Sequence, residues 1–418
     1  MKWIALQPLT GGIYLGAEKI FGKPADCIIS YPHLSQTKTL GKVKQANNEY
    51  HLYEYLKKHN RMPQLFFFKD KMLGDYNMLN YGIPDDADFS NTDVVIALPI
   101  CSGLSTASNF SAEARELRNC NLKFLCTYAL SVIQPKVYVF ENAPVMSSPR
   151  GAAVRNVLNK IAFENGYTPV YYRTNTNLHN NVQHRLRTFV FFIKNELCKN
   201  GIPKLDWECI QPTIEEYFSK MPGNATQQDR FLDFDNMFFD TALRYILYRY
   251  GDDWRNKIKS SNTFKDVYLD KNERAAFMNW AEKNLIRDEY DKWTKHFARV
   301  DGKVAEGKGW WNITPIYPKE IGAVMHKMMA SVVNYKENRR YNARELMHLM
   351  GMPSDFEILS EYTNDLKQIG QNVPVRTMEF IASQVVKILE NKCEFIEKQE
   401  GKYAIFDNIN QKINWYDL

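Results

Sequence analysis

The sequence lacks the features that mark secreted, zinc-binding or membrane proteins. It contains only seven cysteines in 418 residues, and no two of them have the Cys-x-x-Cys spacing of a metal or redox site. This pattern argues against a disulfide framework and a zinc centre, and it favours a reducing compartment. No stretch reaches 18 apolar residues, and the opening MKWIALQPLTGG breaks into glycine too early for a signal peptide. We therefore expect a cytoplasmic protein, of prokaryotic or viral type, with no metal and no membrane partner.

A strong excess of charge of either sign is also missing. Lys and Arg outnumber Asp and Glu by 54 to 48, which gives a net charge of +6. This weak positive balance is compatible with a polyanionic partner but does not identify one. Apolar residues make up 44% of the chain, and 418 residues are too many for a single core. The composition therefore predicts at least two folded domains.

Short apolar runs alternate with helical stretches over residues 1–195. Continuous apolar runs of strand length are typical of strands that are buried on both faces of a sheet. Strands linked by helices favour parallel pairing. The sequence therefore predicts an α/β fold with a doubly wound, mostly parallel sheet. The clearest of these runs are WIAL at 3–6, DVVIAL at 93–98, KVYVF at 136–140 and TFVFFI at 188–193.

The character of the chain changes three times outside this pattern. Residues 196–335 are rich in Trp and Tyr and show no strand alternation, which predicts an inserted, mostly helical domain. Helical order resumes in a return segment, 336–392, and residues 393–418 are predicted to be a charged tail. Within the first region, the Lys-rich stretch 36–61 is predicted to be a loop followed by an exposed helix.

Chemically useful side chains follow or precede three of the predicted strands. Cys101 follows the DVVIAL strand in a turn of small residues, and Glu141-Asn142 follows the KVYVF strand. Arg185 and Arg187 precede the TFVFFI strand, at alternate positions that share one face. Open α/β sheets place their chemistry at the carboxyl ends of the strands. A thiolate nucleophile and a carboxylate that protonates a ring nitrogen would suit this edge, although a packing cysteine, a turn carboxylate and solvated arginines explain each site alone.

Taken together and in this order, the three sites resemble the signature of the cytosine-5 DNA methyltransferases. The resemblance extends from near residue 1 to about residue 390 and includes three further motifs. It implies a Rossmann-like methyltransferase fold, with a catalytic and cofactor domain at 1–195 that is completed by the return segment. It also implies that the insert at 196–335 is the target-recognition domain. The further motifs are LQPLTGGIYLGAE at 6–18, REL at 344–346 with GMP at 351–353, and QIGQNVP at 368–374.

The resemblance implies a role for each of the four catalytic candidates. Cys101 would add to carbon 6 of cytosine, which makes carbon 5 nucleophilic, and Glu141 would hold or protonate ring nitrogen 3. Arg185 and Arg187 would bind the base carbonyl oxygen, brace Glu141 or touch a phosphate, and the sequence does not divide these tasks between them. The cytosine would be flipped out of double-stranded DNA. We expect a monomer on DNA, as in restriction–modification systems.

The cofactor implied by the resemblance is S-adenosylmethionine or a modified analogue, without a metal. Three family groups that would contact this cofactor are replaced. Gln7 stands where the family has an aromatic ring that stacks on adenine, and Pro32 stands where it has an acid that binds the ribose hydroxyls. In the closing motif Gln371 occupies the asparagine position and Asn372 is displaced by one. The residues implied to contact the cofactor are Gln7, Gly11, Gly12, Pro32, Pro99, Gln371 and Asn372.

These replacements leave several interpretations open. The chain could bind ordinary S-adenosylmethionine through other residues, or its pocket could be rebuilt for a different group donor. It could also be a DNA-binding relative without catalysis, although the retention of all four catalytic candidates argues against this. A cytosine-5 enzyme that acts on RNA is a further alternative. The recognition region of about 140 residues favours DNA, because it suits an insertion that reads a groove.

Overall fold

A computed structural model describes most of the chain. The described residues are 1–30, 49–68, 87–99, 103–104, 112–221, 237–258, 267, 270–305, 321–324, 333–358 and 367–417. The chain divides into two compact units. The first unit comprises Met1–Pro222 and Met347–Leu418, and the second comprises Gly223–Leu346. No helix among these described residues is both long enough and apolar enough to span a membrane.

The first unit is built on a nine-stranded sheet. Its described strands lie in the order β11-β10-β6-β7-β5-β4-β1-β2-β3. The pairs β1–β2, β2–β3, β1–β4, β4–β5 and β6–β10 are parallel, whereas β7 runs antiparallel to both of its neighbours. The strands are β1 Trp3–Leu6, β2 Cys27–Ser30, β3 Gln64–Phe67, β4 Val94–Ala97, β5 Val137–Asn142, β6 Tyr167–Asn175, β7 Leu186–Lys194, β10 Lys402–Asp407 and β11 Lys412–Asp417, with a separate pair β8 Ile202–Pro203 and β9 Phe395–Ile396.

The apolar runs form the central strands because helices cover both faces of the sheet. Every residue of β1, β2, β4 and β5 is buried, which matches continuous apolar sequence without alternation. The predicted doubly wound, mostly parallel sheet is therefore confirmed. The helices of this part of the chain are α1 Gly12–Phe21, α2 Tyr50–Lys58, α3 Ala112–Thr127 with a π-helical turn Tyr128–Ile133, α4 Ala152–Glu164, α5 Ile214–Ser219, α10 Ala343–Leu349 and α11 Val375–Leu389.

The helix α2 differs from its prediction. The stretch 36–61 was expected to contain an exposed helix, but one face of α2 is buried. Its sequence is rich in Tyr and Lys: the rings of Tyr53 and Tyr55 pack inward, while the lysines remain in water. The stretch before it, 31–48, lies outside the described residues. The buried residues of α2 are His51, Leu52, Tyr53, Tyr55 and Leu56.

The second unit is helical in its described residues. It contains α6 Met237–Tyr250, α7 Trp254–Lys257, α8 Lys271–Asn284 and α9 Arg287–Ala305. An aromatic core that includes Trp254, Phe277 and Trp293 holds these helices together. Its ends, 223 and 346, differ from the predicted insert boundaries at 196 and 335. Its assignment to target recognition stays a prediction.

The chain after residue 392 is not a tail outside the sheet, contrary to its prediction. Strand β10 pairs in parallel with β6, and β11 pairs with β10 as an antiparallel hairpin. The residues Ala404, Ile405 and Phe406 are buried. Without this hairpin, β6 would be an open edge with unpaired backbone groups, and covering it avoids edge-to-edge aggregation.

A fully buried arginine attaches this hairpin to the loop that follows β5. Arg155, on α4, is 1% exposed. Its Nε donates to the Tyr403 hydroxyl at 2.7 Å, and its Nη1 donates to the carbonyls of Met146 and Ser148 at 2.6 Å each. The guanidinium also lies 5.6 Å from the ring centroid of Tyr416. A buried cation is tolerated when hydrogen bonds satisfy its donors, and these contacts do so for Nε and Nη1.

We expect Arg155→Met to lower the stability of the first unit by about 2–4 kcal/mol, because the two carbonyls lose their donor inside the protein. Tyr403→Phe should cost about 1–2 kcal/mol, since it removes a single acceptor. Differential scanning calorimetry measures both changes. The matched control is Lys160→Met on the same helix, whose side chain is 76% exposed and whose loss should change little. Equal losses of stability in Arg155→Met and Lys160→Met would contradict the role of Arg155 in attaching the hairpin to the loop after β5.

Candidate active site

A buried carboxylate lies at the carboxyl end of β5. Glu141 is the fifth residue of the strand and is 4% exposed. Its Oε1 forms an ion pair with Nε of Arg187, which enters from the neighbouring strand β7. Burial raises the pKa of the Glu141 carboxyl, and the charges of Arg187 and Arg185 oppose this rise. The side chain can therefore exchange a proton at a higher pH than an exposed glutamate.

The two arginines contact different partners although both act on Glu141. Arg187 binds Glu141 directly, and its Nη1 donates to the carbonyl of Leu186 at 2.6 Å. Arg185 is 2% exposed, and its Nη1 donates to the carbonyl of Gly370 at 2.8 Å. The structure therefore brings Glu141, Arg185 and Arg187 together. Arg187 orients the carboxylate, while Arg185 connects this cluster to the closing motif.

The proposed nucleophile, Cys101, lies outside the described residues. The strand that leads to it, β4, is parallel to β5, and Ala97 pairs with Phe140. Pro99, which follows β4, is buried. The chain therefore approaches position 101 from a strand end that is next to Glu141, at the carboxyl edge where open α/β folds bind ligands.

The glycine turn after β1 is packed against the closing motif. Gly11 has a φ of 103° and precedes α1, and no side chain caps the helix there. The Gly12 amide donates to Oδ1 of Asn372 at 2.7 Å. A Cβ on Gly12 would lie 1.9 Å from the carbonyl oxygen of Val373, so only glycine fits. Among the predicted cofactor residues, the structure brings Gly12 and Asn372 into direct contact, and the neighbouring Gln371 is half-buried.

An amide occupies the position where the resemblance implied an aromatic ring. Gln7 is 7% exposed and has a left-handed backbone, with φ of 49°. The backbone amide of Gln7 donates to the carbonyl of Ile29 at 2.9 Å, and this bond joins the ends of β1 and β2. Nδ2 of Asn121, on α3, donates to Gln7 Oε1 at 3.4 Å. The other replaced residue, Pro32, lies outside the described residues.

The groups at this edge fit the polar parts of S-adenosylmethionine. The first turn of α1, where Asn372 accepts a hydrogen bond from the Gly12 amide, is the positive end of a helix dipole and favours a carboxylate nearby. The side chains of Gln7 and Asn121 can exchange hydrogen bonds with a purine or with hydroxyls. Glu49, a carboxylate near this edge, was not predicted as a site residue from the sequence. Its position just before a helix is the only sequence feature that could have indicated it. Among the described residues, no group of three or more His, Cys, Asp or Glu side chains could hold a metal ion.

Comparison with known proteins gives one match to a family and several to solved structures. Residues 45–387 match the family model described as C-5 cytosine-specific DNA methylase. No curated protein sequence matches the chain. A prophage-encoded protein of E. coli, assigned as a DNA modification methyltransferase, is 14% identical and has a TM-score of 0.50. The alignment covers 93% of this chain and 99% of that one, and it shows that the two share a fold.

Two other solved structures are also similar to this chain. The Entamoeba histolytica methyltransferase EhMeth is 12% identical, with a TM-score of 0.48, and the alignment covers 94% of this chain and 98% of that one. A mutant of Spodoptera frugiperda DNMT2 is also 12% identical, with a TM-score of 0.46, and the coverage is 92% and 100%.

Proposed function

The chain belongs to the family of C-5 cytosine-specific DNA methylases, and we propose that it methylates carbon 5 of a flipped-out cytosine in double-stranded DNA. The observation that carries this proposal is the buried pair of Glu141 and Arg187 at the end of β5. This pair lies beside the strand that leads to Cys101. In this proposal Glu141 is the acid for the ring and Cys101, which follows β4, is the nucleophile.

In the proposed reaction, two side chains act on the base and a third holds one of them in place. The Cys101 thiolate forms a bond to carbon 6, and the electrons of the double bond shift so that carbon 5 becomes nucleophilic. Glu141 donates a proton to ring nitrogen 3 and thereby stabilises the ring during this addition. Arg187 holds the carboxyl of Glu141 in place. After methyl transfer, a solvent water takes the proton on carbon 5 and the Cys101 thiolate leaves. The double bond between carbons 5 and 6 forms again, and ring nitrogen 3 returns its proton to Glu141.

The donor that the family implies is S-adenosylmethionine, which supplies an electrophilic methyl group when it is bound. In this chain the start of α1 would bind its carboxylate, and Gln7 with Asn121 would contact the adenosine part. Asn372 keeps the turn at Gly12 closed. These residues bind and orient the donor, and the buried sheet edge excludes water from it.

Recognition of the DNA is assigned to the insert, residues 196–335. The compact unit Gly223–Leu346 has its own aromatic core, which supports an independent recognition module. A protein that binds phosphates releases counterions, so the logarithm of the affinity should fall linearly with the logarithm of the salt concentration.

The test is transfer of labelled methyl groups to unmodified DNA of mixed sequence. Digestion to nucleosides and mass spectrometry should yield 5-methylcytosine as the labelled product. DNA in which every cytosine already carries a 5-methyl group is the matched control, and it should take up no label. Label on the exocyclic amine of cytosine or adenine, or uptake by RNA alone, would contradict the proposal. If cytosines in cell-derived DNA carried a group heavier than methyl on carbon 5, this would indicate a donor other than S-adenosylmethionine.

A further inference from the structure

A carboxylate is buried at the start of α2, outside the catalytic cluster. Glu49 immediately precedes the helix and is 1% exposed. Its side chain forms no capping hydrogen bond with the helix. Since removing a carboxylate from water is costly, such a group persists where hydrogen bonds or charges compensate it. A role in starting α2 therefore does not explain the burial of Glu49.

The carboxylate of Glu49 is fixed by a hydroxyl one turn later in the helix. The Tyr53 hydroxyl donates to Oε2 of Glu49 at 2.8 Å. Burial and the charge of Glu49 raise the pKa of Tyr53, and the Tyr53 hydroxyl also interacts with the side chain of Ser30. Tyr53 therefore stays protonated at neutral pH and remains a donor. This pair connects Glu49 to the last residue of β2.

The first turn of α2 covers the carboxyl ends of two neighbouring parallel strands. Ser30 ends β2, and its carbonyl accepts from the Phe68 amide at 2.9 Å. On the side of β1, a Cβ on Gly11 would lie 2.6 Å from Cδ1 of Leu52. Gln7, beside Ile29, lies at the same edge. The turn therefore places Glu49 at the sheet edge where the donor is proposed to bind.

We propose that Glu49 binds the two ribose hydroxyls of the methyl donor, in place of the acid that the resemblance implied at position 32. This inference rests on the proposed function. A carboxylate has two acceptor oxygens, so one carboxylate can accept from both hydroxyls of a ribose. A carboxylate from the start of α2 reaches the end of β2 through Tyr53 and Ser30, and the chain does not need an acid at Pro32.

The test is calorimetric titration with S-adenosylhomocysteine and with its 2′-deoxyribose counterpart. Wild type should bind the ribose form about 10- to 100-fold more tightly, the range expected for hydrogen bonds to a charged group. Glu49→Gln should lose this preference and bind the ribose form about 10- to 100-fold more weakly than wild type. The matched control is Glu54→Gln on the same helix, where the carboxylate pairs with Lys57 at the surface, and it should bind both ligands as wild type does.

Each outcome separates this inference from the proposed function. A Glu49→Gln variant that still discriminates ribose from 2′-deoxyribose as well as wild type would overturn the role of Glu49 alone. Failure of wild type to bind S-adenosylhomocysteine would overturn the donor assignment together with it. If Glu49→Gln does not fold, Tyr53→Phe decides. It keeps the carboxylate but removes its donor, and the preference for ribose should then decrease several-fold, whereas an unchanged preference would overturn the inference.

Discussion

Replacement of Cys101 by serine should abolish the covalent complex between the protein and a duplex that contains 5-fluorocytosine, and it should reduce methyl transfer by more than about 10⁴-fold. The thiolate is the attacking group, and a serine hydroxyl at neutral pH is a far weaker nucleophile. Fluorine at carbon 5 replaces the proton that must leave, so the normal enzyme stays bonded to the base. Denaturing electrophoresis and mass spectrometry of the peptide detect this bond.

Cys209 provides the matched control, because it is a free and exposed cysteine. Cys209→Ser should form the complex as wild type does, because Cys209 has no role in the proposed reaction. Salt-dependent DNA binding should remain nearly unchanged in Cys101→Ser, because phosphate contacts dominate affinity. A complex of undiminished yield in Cys101→Ser would remove the basis of the proposed mechanism.

The central sheet could be predicted from the sequence because its strands are encoded locally. The runs at 93–98 and 136–140 became β4 and β5, since strands buried on both faces need apolar side chains at every position. The helical order predicted within the return segment 336–392 includes α11, Val375–Leu389. Its apolar residues recur at helical spacing, and its partner α1 approaches so closely that a Cβ on Gly16 would lie 2.6 Å from the Val375 carbonyl oxygen.

The edge strands could not be predicted, because their pairing is non-local. The stretch 402–407 is only six residues long and lies between charged segments, so its pattern does not distinguish a strand from a tail. It becomes a strand because β6 offers an open edge more than 200 positions earlier in the chain. The burial of Arg155 could not be predicted from the sequence either, because an arginine on a helix normally indicates an exposed face.

The candidate site also combines features that the local sequence predicts with features that depend on distant parts of the chain. The alternation of Arg185 and Arg187 predicted that both guanidinium groups share one face, because side chains two apart lie on the same side of a strand. In the structure, the charges of both arginines act on Glu141. The sequence did not divide their tasks, since the partner of Arg185 is the Gly370 carbonyl, 185 positions away. Glu49 was missed for a similar reason. A carboxylate before a helix is normally a cap, and only the fold brings it to β2 through Tyr53.

Replacement of Glu141 by glutamine should lower the rate of methyl transfer by about 10²- to 10⁴-fold, the range for loss of a general acid. Glutamine keeps the shape of the side chain but has no proton to donate to the ring. Single-turnover kinetics on a duplex substrate measures the effect without product release. The matched control is Glu164→Gln, an exposed carboxylate on α4, which should retain the normal rate. A Glu141→Gln variant with more than a tenth of the wild-type rate would exclude Glu141 as the acid.

The pH dependence of the methyl-transfer rate tests whether Glu141 donates the proton to the ring. Its pKa is raised by burial, so the protonated form persists to a higher pH than in an exposed glutamate. The rate should be highest below this pKa and fall as the pH rises through it. Arg187 opposes the rise of the pKa. Arg187→Met should therefore move the falling limb to higher pH, in addition to lowering the rate. A limb that stays in place in Arg187→Met would show that another group carries the proton.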